Sequence, residues 1–352
     1  MSRGKWPPVS VVILNFNGAR FVKRCLGSVL NSDYPDFEVL FVDNASSDGS
    51  VELAQRLFGT VPRLQIFHNS ENLGFSEGNN VGARRATGEY IVLLNNDTEV
   101  DACWLKELVR VMESDPMIGV AQCKLLFMHD RGLIEGAGAF IDVYGYGSGR
   151  GLEKDRGQYD RVEEIFYANG AAMAIRRGAV YGFSEGRGIF DPSYFAYYED
   201  VDLCWGMWLR GYKVVFAPRS VVYHFRAASS SKYPVLTVFH HCKNRIMTLI
   251  KNYSLRNLIR YIPPLLILEL GRAVLHASTR NLPYALAIAR AIWWNLLNLK
   301  NNWKKRLEVQ YRVRKLPDEY VMRRMKKQNL ARLWYNFMRY RAFSKEHGFI
   351  VH

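Results

Sequence analysis

From Pro8 to Leu14 the chain is apolar almost without a break, and the run ends in Asn15-Phe-Asn17 and Gly18. Such a pattern predicts a strand buried on both faces of a parallel sheet. A helix pattern follows to about Leu30, with Phe21, Val22, Cys25, Leu26 and Val29 on one face. Phe37 to Val42 predicts a second strand. It ends in Asp43-Asn-Ala-Ser-Ser-Asp-Gly-Ser50, which can turn the chain into a helix beginning near Val51. Leu64 to Phe67 is a third strand, and Tyr90 to Leu94 a further one that delivers Asn95, Asn96 and Asp97. Strands alternating with helices, each strand polar at its carboxyl end, predict an α/β fold with a nucleotide site along that edge.

The chemistry of the edge narrows the choice. No Gly-x-Gly-x-x-Gly follows the first strand, and no Gly-x-x-x-x-Gly-Lys-Ser/Thr occurs, so a dinucleotide or Walker site is excluded. Asp97, a lone carboxylate among amides, suits a divalent cation that must also hold a phosphate; the plainer alternative is an acidic loop closing a strand. Gly145-Tyr-Gly-Ser-Gly-Arg-Gly151 is expected to be a mobile polar loop. A second constellation is Tyr198-Glu-Asp-Val-Asp-Leu-Cys-Trp205, where Val201, Cys204, Trp205 and Trp208 predict a helix with Glu199 and Asp200 at its amino end. Those carboxylates are either a helix cap or catalytic groups. His224 follows a predicted strand, Lys213 to Ala217, and a turn at Pro218. Gly170 and Ala171 leave room for close approach of a ligand to the backbone.

In this order, Val9 to Asn17, Asp43 to Asp48, Asn72-Leu-Gly-Phe75, Asn95-Asn-Asp97 and Tyr198 to Trp205 resemble family-two nucleotide-sugar glycosyltransferases of the GT-A fold, nearest the rhamnosyltransferase-like branch. The resemblance runs from about Val9 to about Ser231. It implies a mixed, mainly parallel sheet flanked by helices and an inverting transfer from a UDP- or dTDP-sugar. Leu14, Asn15 and Phe16 would line the base pocket, Phe16 stacking on the base, and Asp43 would accept from the base imino N–H. Asn72, Gly74, Asn79 and Asn96 would lie near the ribose and diphosphate, and Gly170 near the sugar. Asp97 and His224 would hold Mn2+ or Mg2+, with Arg226 and Ser229 adding phosphate contacts. Asp200 would be the base, and Glu199 would contact the acceptor. The usual Asp-x-Asp departs here to Asn95-Asn-Asp97, and one carboxylate fewer should weaken metal binding.

Charge divides the chain. Residues 1–230 hold 24 Lys and Arg against 28 Asp and Glu; residues 231–352 hold 24 against 5. The division predicts a catalytic domain over 1–231, joined at Ser229-Ser-Ser231 to a basic amphipathic α-helical region over 232–352. In the latter, Pro263-Pro264, Pro283 and Pro317 punctuate the helices. Leu282 to Leu299 nearly reaches the length of a membrane span but is interrupted by Arg290, Asn295 and Asn298. Leu330, Leu333, Trp334, Phe337 and Met338 form an apolar stripe beside basic residues. Basic helices rich in Trp and Tyr favour a segment lying on a membrane surface. A soluble helical or oligomerisation module and a nucleic-acid-binding tail are the alternatives, and no nucleic acid is expected as partner. With no apolar secretory leader at the start and five cysteines lacking Cys-x-x-Cys, the expected setting is the cytoplasmic face of the cell membrane, with buried free thiols. A lipid-linked or other glycan would then be the acceptor, as in polysaccharide biosynthesis. A catalytically weak or inactive scaffold binding nucleotide-sugar or lipid is the competing function. A nucleotidyltransferase is disfavoured because Asn15-Phe-Asn-Gly-Ala19 lacks a basic loop.

Overall fold

A computed structural model describes residues 6–182, 185–226 and 234–327. The described residues within Met1–Phe140 and Ser148–Arg226 form one compact unit, and those within Ile141–Gly147 and Ala227–His352 a second. The Ser229–Ser231 junction, the contact expected of Ser229 and the Leu330–Met338 stripe lie outside the described residues.

In the first unit, the early chain reads β1 (Val9–Asn15), α1 (Ala19–Leu30), β2 (Phe37–Asp43), α2 (Ser50–Phe58), β3 (Leu64–His68), α3 (Gly74–Ala83), β4 (Tyr90–Asn95), β5 (Thr98–Val100), α4 (Trp104–Glu113) and β6 (Ile118–Phe127). There follow β7 (Ile134–Gly136), β8 (Ala139–Ile141), β9 (Gly147–Gly149), β10 (Glu163–Glu164), β11 (Ala172–Arg176), α5 (Glu199–Arg210) and β12 (Lys213–His224). The sheet order is β10-β12-β6-β11-β4-β1-β2-β3, with β5 on β12 and β7 on β6; β8 and β9 pair separately. β1, β2, β3 and β4 are parallel, as are β6 and β12, whereas β11 runs antiparallel between β4 and β6. The sheet is thus mixed, with a parallel core.

The continuous apolar strands are buried because helices cover both faces: Val9, Val11, Val12 and Ile13 of β1 and Val39 to Val42 of β2 are all inaccessible or nearly so. Each such side chain contributes roughly 1.5–3 kcal/mol by leaving water. α1 lays Phe21, Val22, Cys25, Leu26 and Val29 against the sheet, as its periodicity predicts. Its start lacks a side-chain cap of its own; Asp48, from the β2–α2 loop, accepts instead from the Ala19 N–H at 2.8 Å. The large indoles Trp104 and Trp208 bury fully because each N–H finds an acceptor, Ser32 Oγ and the Phe166 carbonyl.

Three expectations are corrected. Pro218 does not end the strand: β12 continues to His224 through a register shift between Ala217 and Val221, where a bulge accommodates a residue without an N–H. Gly147–Gly149 forms β9 rather than part of a featureless loop. Of the five free cysteines, Cys103 is exposed.

The second unit is helical over its described residues after 233: α6 (Pro234–Asn252), α7 (Leu255–Ser278), α8 (Leu282–Leu297), α9 (Leu299–Glu308) and α10 (Asp318–Met322), with a π-turn at Val309–Val313. α7 passes straight through Pro263-Pro264, contrary to expectation. The prolines deprive the carbonyls of Ile259 and Arg260 of their usual donors, but tertiary packing sustains the helix. The packing centres on Glu269, fully buried in α7. Its carboxylate is paired with Arg245 of α6 and with Arg272 at 2.8 Å, and accepts from Tyr146 Oη at 2.6 Å. Burial alone would raise this carboxyl, yet the two guanidinium groups hold it down at about 2. α6 ends where Arg306 of α9 donates to the carbonyls of Ile250 and Tyr253 at 2.7 and 2.5 Å. No described helix is long and apolar enough to cross a membrane.

Glu269→Ala strands two guanidinium groups in a buried setting and is expected to lower stability by about 3–5 kcal/mol. Denaturant unfolding followed by circular dichroism checks this; a loss under ~1 kcal/mol would mean that the network does not hold α6 and α7 together.

Candidate functional site

The carboxyl ends of β1, β2 and β4 are tied by one side chain. Asn15, fully buried, donates through Nδ2 to Asp43 Oδ1 (2.8 Å), Ser46 Oγ (3.1 Å) and Ser50 Oγ (2.8 Å), while its Oδ1 accepts from Asn96 Nδ2 at 2.6 Å. Gly18 closes over this group: a Cβ there would fall 2.0 Å from Asn96 Nδ2 and 2.5 Å from Asn15 Oδ1. The first residues of the base-pocket set are therefore unequal. Asn15 is an organiser, Leu14 is half-buried, and Phe16 stands 40% exposed as an open aromatic face.

Asp43 is buried and already satisfied. Oδ1 accepts from Asn15 and from Ser46 Oγ (2.5 Å), and Oδ2 from the Ser46 N–H (2.9 Å) and His68 Nδ1 (3.0 Å). His68 is the exposed member of this set, its side chain 55% exposed against none for Asp43. Next to it, Asn44 Nδ2 donates to Asn72 Oδ1 (2.9 Å) and the Gly74 carbonyl (3.0 Å), and Asn72 Oδ1 also accepts from the Gly74 N–H. Asn72 and Gly74 thus shape the entry to α3. Gly74 has φ +75°, and a Cβ there would meet Phe195 at 2.5 Å. Asn79 is buried and turns back to the Phe75 carbonyl one turn earlier in α3.

Asp97 and His224, far apart in sequence, meet because β5 pairs antiparallel with the end of β12, setting Thr98 opposite His224. His224 Nε2 lies 3.2 Å from Asp97 Oδ1, and both side chains are under 10% exposed. Two ligands at about 2.1 Å from one ion, at right angles, stand about 3 Å apart. The pair therefore fits a divalent cation as two of its ligands. Among the described residues no group of three or more His, Cys, Asp or Glu is arranged to hold a metal, so the remaining positions would fall to phosphate and water.

Sequence reasoning missed Glu135. It sits on β7, its side chain 8% exposed, with Oε2 3.3 Å from His224 Nδ1 and Oε1 3.7 Å from Arg226 Nε. A carboxylate behind an imidazole fixes which ring nitrogen faces forward. Burial would lower the His224 pKa, but the hydrogen bonds and charges of Asp97 and Glu135 outweigh it and raise it to about 10. A proton there holds the place that a cation would take.

Asp200 lies in the first turn of α5, half-buried. Its Oδ2 accepts from the Gly170 N–H at 3.2 Å and its Oδ1 from the Val201 N–H at 2.8 Å. Burial pushes its carboxyl up to about 6 against these two hydrogen bonds. The Gly170 loop connects the two constellations, since the Ala171 carbonyl accepts from the Asn95 N–H at 2.9 Å. A side chain at Gly170 would press on Phe75 at 3.1 Å. Glu199 is buried beside Asp200 at the helix start. Phe195, Tyr197 and Tyr198, just before it, all have positive φ, conformations that cost roughly 1–3 kcal/mol each and cluster at functional sites.

Comparison with known proteins bears on this edge. Residues 10–181 match the model of glycosyl transferase family 2, a stretch that includes Asp43 and Asp97 and stops before Asp200 and His224. An O-antigen biosynthesis protein of Myxococcus xanthus is 28% identical over 233 residues, 63% of this chain and 18% of that protein. A glycosyltransferase of Haloferax volcanii, AglE, is 33% identical over 102 residues, 28% of this chain and 34% of that one. The chain thus spans about a third or less of the length of these relatives. Among solved structures, GalNAc-T7 with UDP, GalNAc and Mn2+ superposes with a TM-score of 0.55 at 20% identity, over 70% of this chain and 48% of the other. The Pyrobaculum calidifontis mannosyltransferase in complex with GDP-Man and Mn2+ does so at 0.52 and 18%, over 87% and 86%. These likenesses agree on the fold. With the sheet order, the edge residues and the family match in agreement, residues 10–181 are a glycosyl transferase family 2 domain, on a GT-A fold.

Proposed function

We propose that this protein is an inverting glycosyltransferase that moves a sugar from a UDP- or dTDP-sugar to a hydroxyl of a lipid-linked or other glycan, at the cytoplasmic face of a membrane. The observation that carries the reading is the joined pair of constellations: Asp97 with His224 at one strand edge, and Asp200 reached from it through the Gly170 loop. The relatives' roles in O-antigen biosynthesis and glycosylation, and the UDP, GDP-Man and Mn2+ of the structural neighbours, support it.

In this reading Phe16 stacks on the base. The base imino N–H reaches Asp43 by taking the place of exposed His68, leaving the Asn15 and Ser46 bonds intact. Asn96, Asn72 and Gly74 shape the ribose and diphosphate side, and Asn79 supports α3 from within. Bound Mn2+ or Mg2+ would supply positive charge against the diphosphate as negative charge develops on it. Asp97 and His224 Nε2 would hold it, with Glu135 keeping the imidazole's Nδ1 protonated and Nε2 free. Asp200 accepts the proton of the acceptor hydroxyl while that oxygen forms its bond to the anomeric carbon. The bond from that carbon to the diphosphate breaks on the opposite face, and the nucleoside diphosphate leaves. Glu199 contacts the acceptor.

A general base works only when deprotonated. With its pKa raised to about 6, Asp200 is charged at neutral pH and becomes protonated below it. Release of nucleoside diphosphate from UDP- and dTDP-hexoses should fall about tenfold per unit as pH drops below 6, and Asp200→Asn should abolish turnover. A profile flat to pH 4.5 would remove Asp200 from the role.

Donor binding is tested by thermal stabilisation with UDP and dTDP, with and without Mn2+. Wild type is expected to be stabilised in a metal-dependent way, Asp97→Ala to lose the effect and Asp200→Asn to retain it. No stabilisation by UDP, dTDP or any other nucleoside diphosphate under any condition would end the glycosyltransferase reading.

A further inference from the structure

In the second unit, α7 and α8 carry outward apolar stripes in addition to the apolar face they bury. In an ordinary surface helix the polar side faces water. α7 departs from this past its first turns: it buries Leu265 and Leu268, yet Ile267, Leu270 and Val274 face outward at 72%, 53% and 68% exposure, while Glu269 is fully buried. Arg272 turns inward with it, paired to the same carboxylate. α8 repeats the pattern. Leu286, Trp293, Leu296 and Leu297 face outward, Trp293 at 61% and Leu297 at 67%. Asn295 is buried, donating to the Lys243 carbonyl of α6 at 3.0 Å. The large apolar side chains left in water are thus a stripe on each of two packed helices, beyond the scattered exposure common on soluble surfaces.

Cations flank the stripes: Arg256 and Arg260 at the start of α7, Arg280 beyond its end, Arg290 within α8, and Lys300 and Lys304 on α9 are all exposed. Trp303 and Tyr311, also exposed, add the amphipathic rings favoured where hydrocarbon meets headgroups. At the start of α8 a cavity of about 570 Å³ is lined by Val235, Leu236, Phe239, Pro283 and Ala287, with Arg290 at its side. Its size is that of a small-ligand site.

We infer that the outward stripes of α7 and α8 seat this protein in the interfacial layer of an anionic phospholipid bilayer, with a lipid chain entering the α6–α8 cavity and its phosphate on Arg290. Charge selects this occupant over a second copy of the chain, since residues 231–352 hold 24 Lys and Arg against 5 Asp and Glu, and pairing two such faces would oppose like charges. Basic residues near an anionic surface each add roughly 1 kcal/mol of attraction. No described helix can cross a bilayer, so the stripes lie along the surface. The inference rests on the membrane-surface part of the proposed function and is independent of glycosyl transfer.

The test is sedimentation of the full chain with phosphatidylcholine vesicles and with vesicles containing about 30% phosphatidylglycerol, which mimic an anionic leaflet. Wild type is expected to bind the anionic vesicles at least tenfold more tightly, and to stay partly bound in high salt because apolar contact persists when charge is screened. Ile267→Asp with Val274→Asp should lose tenfold or more, and Arg290→Glu should reduce the preference for the anionic lipid. Leu57→Asp, on the exposed side of α2, should bind as wild type does. Circular dichroism confirms folding of each variant. Wild type left in the supernatant with both vesicles overturns the membrane reading itself. Wild-type binding unchanged by the double variant overturns the assignment of this face. A wild-type dimer that ignores vesicles, made monomeric by the double variant, gives the face to a second copy.

Discussion

The candidate site depends on three short backbone pairings between β5 and β12. Val222, Tyr223 and His224 lie opposite Val100, Glu99 and Thr98, and that register brings an imidazole to a carboxylate more than a hundred residues earlier in the chain. A slip by one residue would turn His224 to the other face of the sheet. β6 secures the arrangement from the other side, parallel to β12 and carrying β7, whose Glu135 stands behind the imidazole. The Pro218 irregularity belongs to the same device. Between Ala217 and Val221 the two strands lose and regain step, and the second half of β12 keeps the register that His224 requires.

Electrostatics divides the labour along this edge. Asp97 and Glu135 face one imidazole and hold it protonated, whereas Asp200 is pushed toward its neutral form by burial with only backbone N–H groups to oppose it. Carboxylates of one chemical type thus acquire different characters from their surroundings: one set invites positive charge, the other is ready to take a proton near neutrality. The strained turn at Phe195, Tyr197 and Tyr198 delivers Asp200 to its helix start, and its contacts with α3 through the Ser76 N–H and the Gly74 surface hold it there.

Much of this was legible in the sequence, for physical reasons. Strands buried on both faces leave unbroken apolar runs, so β1, β2 and β4 and their polar ends could be read directly, and α1 and α5 from their periodicity. Glu135 was invisible because it lies on a three-residue strand with no pattern of its own, and its meaning arises only from pairing with β6. His68 was missed likewise: parallel pairing of β2 and β3 sets it opposite Asp43. The prolines misled in both units, since a bulge and a well-packed helix each tolerate a missing N–H that local rules treat as a stop. In the helical unit, composition showed apolar and basic residues together, but only the fold shows that the charges of Glu269 and Arg272 turn inward and the aliphatic side chains outward.

In the proposed function Asp97 and His224 act as a pair that binds a divalent cation together with a nucleoside diphosphate. Electron paramagnetic resonance of free Mn2+, titrated with protein in the presence and absence of UDP or dTDP, tests it most directly. Weak Mn2+ binding alone is expected, tightened at least tenfold by the nucleotide, with the tightening lost in both Asp97→Ala and His224→Ala. Tight Mn2+ binding that ignores the nucleotide, or nucleotide-dependent binding that survives both substitutions, would contradict it.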